Sequence, residues 1–183
     1  MKKILIFFWE IAKIVITAAL IVIPIRYFLF QPFFVIGQSM EPNFKEGDYL
    51  IVDEITYRFS SPERGEVIIF KSPSDPSQRL IKRIIGLPGE TVEIKDGKVF
   101  IYNEEGKKIL DESSYLSNLK TEGELKITLG EKNYFVLGDN RYFSYDSRKF
   151  GSLSRENIIG RVVLRAWPFN SLKIFKKPVL NMI

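Results

Sequence analysis

The chain has 183 residues, with 27 Lys or Arg against 22 Asp or Glu and a net charge of +5 spread along its length. That length suits one anchor and one modest domain rather than two enzyme domains with separate cores, and a basic excess without a clustered patch argues against a nucleic-acid binder. Cys and His are both absent, so disulfides, thiol nucleophiles, Cys/His zinc sites and a Ser-His-Asp triad are excluded, and a hydrolase made from this chain needs another base.

Residues 4–30 read ILIFFWEIAKIVITAALIVIPIRYFLF, interrupted by Glu10, Lys13, Pro24 and Arg26. Crossing a bilayer takes roughly 20 apolar residues, so a helix from Ile11 to Phe30 spans if Lys13 and Arg26 snorkel to the interfaces. Alternatives are a cleaved secretory signal and a buried helix. The small-residue triplet Thr17-Ala18-Ala19 is followed by more apolar residues, which favours an uncleaved anchor. Lys2 and Lys3 favour a cytoplasmic N-terminus. The expected organisation is a short cytoplasmic segment 1–10, a transmembrane anchor 11–30 and an extracytoplasmic domain 31–183, set in a cell membrane.

From Gln31 onward short apolar runs alternate with Gly, Pro, Asn and Asp, which predicts a mainly β domain. Strands are predicted at Tyr49 to Val52, Glu66 to Lys71, Arg79 to Ile85, Thr91 to Lys95, Lys98 to Tyr102, Lys126 to Thr128, Tyr134 to Leu137 and Ile159 to Ala166. Asp96-Gly97 supplies the positive φ angles of a two-residue hairpin, and Ser154 is placed to open a helical turn. Residues 103–132 are polar and charged, so they read as part of an inserted small β lobe around 92–132, outside the core and away from any site.

Three constellations carry possible chemistry. Gly37-Gln38-Ser39-Met40-Glu41-Pro42 puts a Ser beside a Gly in a non-helical segment, where a hydroxyl and free backbone N–H groups can meet a carbonyl. Taken alone such a Ser is ordinarily a turn residue. In Arg79 to Glu90, strand alternation sets Lys82 between Leu80 and Ile84. A Lys of ordinary pKa ~10.4 is no base at neutrality, but desolvation lowers that value toward roughly 7 to 8, where it becomes one. The bland alternative is a snorkelling edge-strand Lys. Gly138 to Gly151 packs Asp, Asn, Arg and Ser among aromatics, where Ser144 or Ser147 could hold a neutral amine by hydrogen bond.

Together these segments resemble the type I signal peptidases: Ser39-Met40-x-Pro42, Lys82-Arg83-Ile84-Ile85-Gly86-x-Pro88-Gly89, and Gly138-Asp139-Asn140-Arg141-x-x-Ser144-x-Asp146-Ser147-Arg148-x-x-Gly151 follow the family's order, with Gly47-Asp48 between the first two. The resemblance implies a membrane-bound serine endopeptidase that cuts signal peptides from exported preproteins after small-x-small sites such as Ala-x-Ala. It implies that Ser39 is the nucleophile, Lys82 its base and Ser144 the orienter of the amine. Arg83, Asp139, Asp146 and Arg148 would shape the site, and Val35, Ile36, Met40 and Ile81 would line shallow substrate pockets. Neither metal nor cofactor is expected. The partners expected are signal peptides and the lipid surface, reached through Tyr27, Phe28, Phe30, Phe33, Phe34, Trp167 and Phe169, with the chain a monomer. Two departures stand out. Gly37 replaces a hydroxyl donor found in some members, leaving the second oxyanion donor open, and Tyr142-Phe143 replaces a commonly polar pair. The competing readings are a self-cleaving Ser-Lys regulatory protease and an inactive membrane-tethered β domain that binds exported chains.

Overall fold

The computed structural model describes every residue except 1, 29, 105, 117–119, 177–179, 181 and 183, and the side chains of 2, 3, 5 and 21–30 also lie outside the described residues. The chain opens with helix α1 (Lys2–Phe28) and passes into strand β1 (Phe30–Phe34). Helical structure thus begins at Lys2 rather than Ile11, and Phe30 belongs to a strand rather than to the helix end. Glu10 and Lys13 pair on its surface at 2.7 Å. Among the described residues no helix is long and apolar enough to cross a membrane. The expected anchor extends through 21–30, whose side chains lie outside the description.

All eight strands expected from the pattern form, within a residue or so of their expected ends: β2 (Tyr49–Asp53), β3 (Val67–Lys71), β4 (Arg79–Gly86), β5 (Thr91–Lys95), β6 (Lys98–Asn103), β8 (Leu125–Thr128), β9 (Asn133–Leu137) and β11 (Ile158–Trp167). Between and after them lie β7 (Gly106–Ile109), β10 (Leu153–Ser154) and β12 (Lys173–Ile174), with short helices α2 (Thr56–Phe59) and α3 (Ser147–Phe150). Each of these three strands carries a single apolar residue, too few to mark it in the sequence. The large sheet runs β1-β2-β11-β3-β4-β9-β10, with β12 on β11, and a four-stranded sheet runs β7-β6-β5-β8. Among the described residues every strand pairing is antiparallel. Pro32 sits on edge strand β1, where its missing N–H costs no ladder bond. Asp96 (φ 52°) and Gly97 (φ 76°) make the tight turn between β5 and β6. The Ser154 hydroxyl accepts from the Glu156 N–H and caps a turn of 3₁₀ helix.

Strand β4 feeds three apolar clusters. Its Ile81 packs with Val35, Met40, Phe44 and Leu50, Ile84 with Ile68, Phe70 and Val136, and Ile85 with Val92, Ile94, Val99 and Ile101 of the small sheet. The two sheets therefore share a core through Ile85, Phe135 and Leu137. The segment 103–132 is not excluded from it, because Leu110 and Leu129 belong to that cluster, and Leu116 is buried as well. Their isolated apolar side chains among charges gave no period from which burial could be read.

Candidate active site

Ser39 lies in a turn after β1, and the chain is led there by Val35, whose N–H and carbonyl pair with Asp48 and Gly47. Gly37, at φ +83°, makes the bend that side-chain-bearing residues resist. Met40, fully buried, pins the far side of the turn into the core beneath Ile81. Lys82 enters from the middle of β4, opposite Ile68 of β3. Only 2% of Lys82 is exposed, and its Nζ lies 2.7 Å from Ser39 Oγ and 2.7 Å from the Ile81 carbonyl oxygen. Burial lowers its pKa from 10.5 to about 8, against the opposing pull of the Asp146 and Asp139 charges. The amine donates to Ser39 when charged. Once neutral, the same short contact lets the Ser39 hydroxyl donate to the nitrogen lone pair, the geometry of a general base.

The loop after β9 forms the wall. Asp139 is wholly buried and grips Arg83 twice, Nε at 2.8 Å and Nη2 at 2.6 Å, while Arg83 Nη1 reaches the Gly65 carbonyl at 2.8 Å. Asn43 Nδ2 adds a bond to Asp139 at 2.9 Å. Asp146 accepts from Arg148 Nε at 2.9 Å and Nη2 at 2.8 Å and from the Gly138 N–H at 3.0 Å. Burial pushes the Asp146 carboxyl up, but Arg148 and the Gly138 N–H outweigh it and hold the group ionised below its ordinary value. The Asn140 N–H donates to the Ser39 carbonyl at 3.0 Å, tying the loop to the hydroxyl-bearing residue.

Ser144 is buried against Gly138. Its hydroxyl contributes to holding the Asp146 carboxyl ionised, while the Lys82 amine, which the resemblance would have it orient, donates to Ser39 and to its own strand's carbonyl. A Cβ on Gly138 would lie 2.2 Å from Ser144 Oγ and 2.5 Å from the Ser39 carbonyl oxygen, so only glycine permits this approach. Ser147, the other candidate hydroxyl, instead accepts from the Val136 N–H at 3.0 Å. Val35, Met40 and Ile81 form one buried apolar cluster, whereas Ile36 is 83% exposed. Of the aromatics, Phe33 packs against the core, while Phe34, Trp167 and Phe169 are exposed.

Several residues at the site escaped sequence reasoning. Arg141 is buried and bonds the Gly138 carbonyl at 2.9 Å, Glu112 and Thr121. The Tyr115 ring lies 4.1 Å from the Arg83 guanidinium carbon. Glu112, Tyr115 and Thr121 come from the segment expected to stay away from any site, and only the tertiary fold returns them to it.

The profile of the signal peptidase family, peptidase S26, matches residues 8–167. The chain belongs to that family. A probable signal peptidase I-2 of Synechocystis is 39% identical over 166 residues, 87% of this chain and 73% of that protein. Signal peptidase I V of Bacillus subtilis is 35% identical over 169 residues, 84% of this chain and 94% of that protein. A crystal structure of a signal peptidase I from Enterococcus faecalis aligns at 36% identity over 56% of this chain and 97% of that one, with a TM-score of 0.46. Signal peptidases of this family are serine endopeptidases that remove signal peptides from preproteins, and the β body described above is the fold in which this member carries its Ser39–Lys82 pair.

Proposed function

We propose that this signal peptidase cleaves by acyl transfer through Ser39 with Lys82 as general base. The observation that carries the reading is the 2.7 Å contact between Ser39 Oγ and a buried Lys82 amine whose pKa is brought down to about 8. Ser39 attacks the scissile carbonyl as its proton passes to Lys82, which then protonates the departing amine of the mature chain. Water, activated by the neutral amine, hydrolyses the ester. The Ser39 backbone N–H stabilises the oxyanion. Small residues at the first and third positions before the cut would rest in shallow pockets walled by Val35, Met40 and Ile81, with Ile36 alongside. The substrate lies extended against the strand edge.

The substrates are taken to be exported preproteins at a membrane surface, with the β body extracytoplasmic and α1 the anchor. Support comes from the exposed Ile4, Phe7, Phe8, Trp9, Ile14 and Leu20 of α1, an apolar surface suited to lipid. An inactive binding domain would have no use for a desolvated Lys82, whose burial costs stability.

The test is cleavage of a purified preprotein bearing an Ala-x-Ala site. The unmodified chain is expected to cut it once, and Ser39→Ala and Lys82→Met to lose at least about a thousandfold in kcat, as removal of a nucleophile or its base does. No cut by the unmodified chain, or comparable cutting by all three, would end this reading.

A further inference from the structure

One carboxylate from the segment between β7 and β8 holds two arms that converge on the site loop. Glu112 accepts from Arg141 through Nη1 at 2.9 Å and also through Nη2, and it accepts from the Tyr115 hydroxyl. Burial, then the Glu112 charge, push that hydroxyl well above its ordinary range, so it remains a donor. Along the first arm, Arg141 Nε donates to the Gly138 carbonyl at 2.9 Å, and the Arg141 carbonyl accepts from Arg148 Nη2 at 2.7 Å. Along the second, the Tyr115 ring supports Arg83, and its carbonyl accepts from Asn43 Nδ2 at 2.8 Å, the same amide that bonds Asp139. Both arms end on Gly138 and Asp139, next to the Asn140 N–H that holds the Ser39 carbonyl.

We propose that Glu112 is a positioning residue for the Ser39–Lys82 pair, locking Arg141 and Tyr115 so that residues 138–140 present Ser39 to the amine. The inference rests on the Ser39–Lys82 reading above. A carboxylate serves here where a neutral acceptor would not, because Arg141 is nearly wholly buried and Glu112 is the carboxylate it meets. A buried charge needs a charged partner with good geometry. Around Lys82 the other charges are Asp139 and Asp146, paired with Arg83 and Arg148. Loss of the Glu112 charge therefore leaves Arg141 as an unbalanced cation behind the site, which disfavours the Lys82 ammonium.

The experiment uses the full chain in detergent with a fluorogenic Ala-x-Ala peptide. Glu112→Gln is expected to lower kcat about tenfold or more with KM nearly unchanged, a loss confined to the transition state. It also moves the acid limb of kcat/KM to lower pH. Glu112→Asp keeps the charge and is expected to return the acid limb toward that of the unmodified chain while kcat stays low. In a Ser39→Ala background, NMR titration of ¹³Cε-labelled Lys82 is expected to follow the same order without turnover. An unmoved Lys82 titration in Glu112→Gln overturns the proposal, as does a fall in kcat that matches the fall in folded fraction. Absence of cleavage by the unmodified chain would instead overturn the Ser39–Lys82 reading, and the titration still reports on Glu112.

Discussion

At the residue scale, the proposed chemistry depends on the balance around one amine. Lys82 is driven toward neutrality by burial and back toward charge by Asp146 and Asp139, and the result is about 8. In the proposed mechanism cleavage needs the neutral form, so kcat/KM is expected to rise about tenfold per pH unit on the acid side and to level off above about pH 8. The same shift bears on stability. Because the folded-state pKa lies below the ordinary 10.5, folding carries the whole penalty below pH 8 and none above about pH 10.5. The penalty amounts to roughly 3 kcal/mol, offset in part by the Ser39 and Ile81 hydrogen bonds. Lys82→Met is therefore expected to melt higher than the unmodified chain at pH 7 and to lose that advantage as pH approaches 10.5. Calorimetry across this range checks it, and a variant less stable at pH 7 would contradict it. Lys82 was legible in the sequence because alternation along a strand names its apolar neighbours. The surroundings of Ser144 were not, since the partner of a hydroxyl depends on which groups close around it, and here they are Gly138 and the Asp146 carboxylate.

At the element scale, the site is made by β4 delivering Lys82, the turn after β1 delivering Ser39, and the loop after β9 holding both. The loop approaches so closely that Gly138 has no room for a side chain. Gly138→Ala is expected to cost roughly 1–3 kcal/mol of stability, as overpacking does, and at least about tenfold in kcat/KM. Urea melts and peptide cleavage measure the two, and unmodified values for both would mean the loop yields freely. Strand positions were legible from alternation and turn residues, down to the Asp96-Gly97 hairpin. The short strands β7, β10 and β12 were not, because each carries a single apolar residue and is held in place by its partners. The same holds for 103–132, whose charged residues look solvated in sequence yet include Glu112, which faces Arg141.

At the scale of the whole molecule, the exposed Phe34, Trp167 and Phe169 gather at one end of the large sheet. Phe34 meets Tyr49 edge-on at 4.8 Å, Trp167 meets Phe169 at 4.7 Å, and Tyr49 pairs in register with both Phe34 and Trp167. An exposed aromatic group of this kind suits a lipid headgroup layer. The double variant Phe34→Glu, Phe169→Glu is expected to slow cleavage of a preprotein presented on anionic vesicles several-fold while leaving cleavage of a short soluble peptide unchanged. Equal slowing on both substrates, or on neither, would rule out a role for this end in seating the body on lipid.

The amino-acid sequence by itself narrowed the chemistry that is possible: without Cys or His, thiol nucleophiles and a Ser-His-Asp triad are excluded and a base must be a Lys or a carboxylate, and the family order of its motifs pointed to Ser39 and Lys82. Strand periodicity likewise determined the β character of the body, because alternation is a local property. The tertiary structure decided what depends on distance: the 2.7 Å contact that joins residues 43 positions apart, the burial that brings Lys82 down to about 8, and the return of Glu112 and Tyr115 to the loop at Gly138. Desolvation and charge balance are set by everything packed around a group, and no segment of sequence carries that alone.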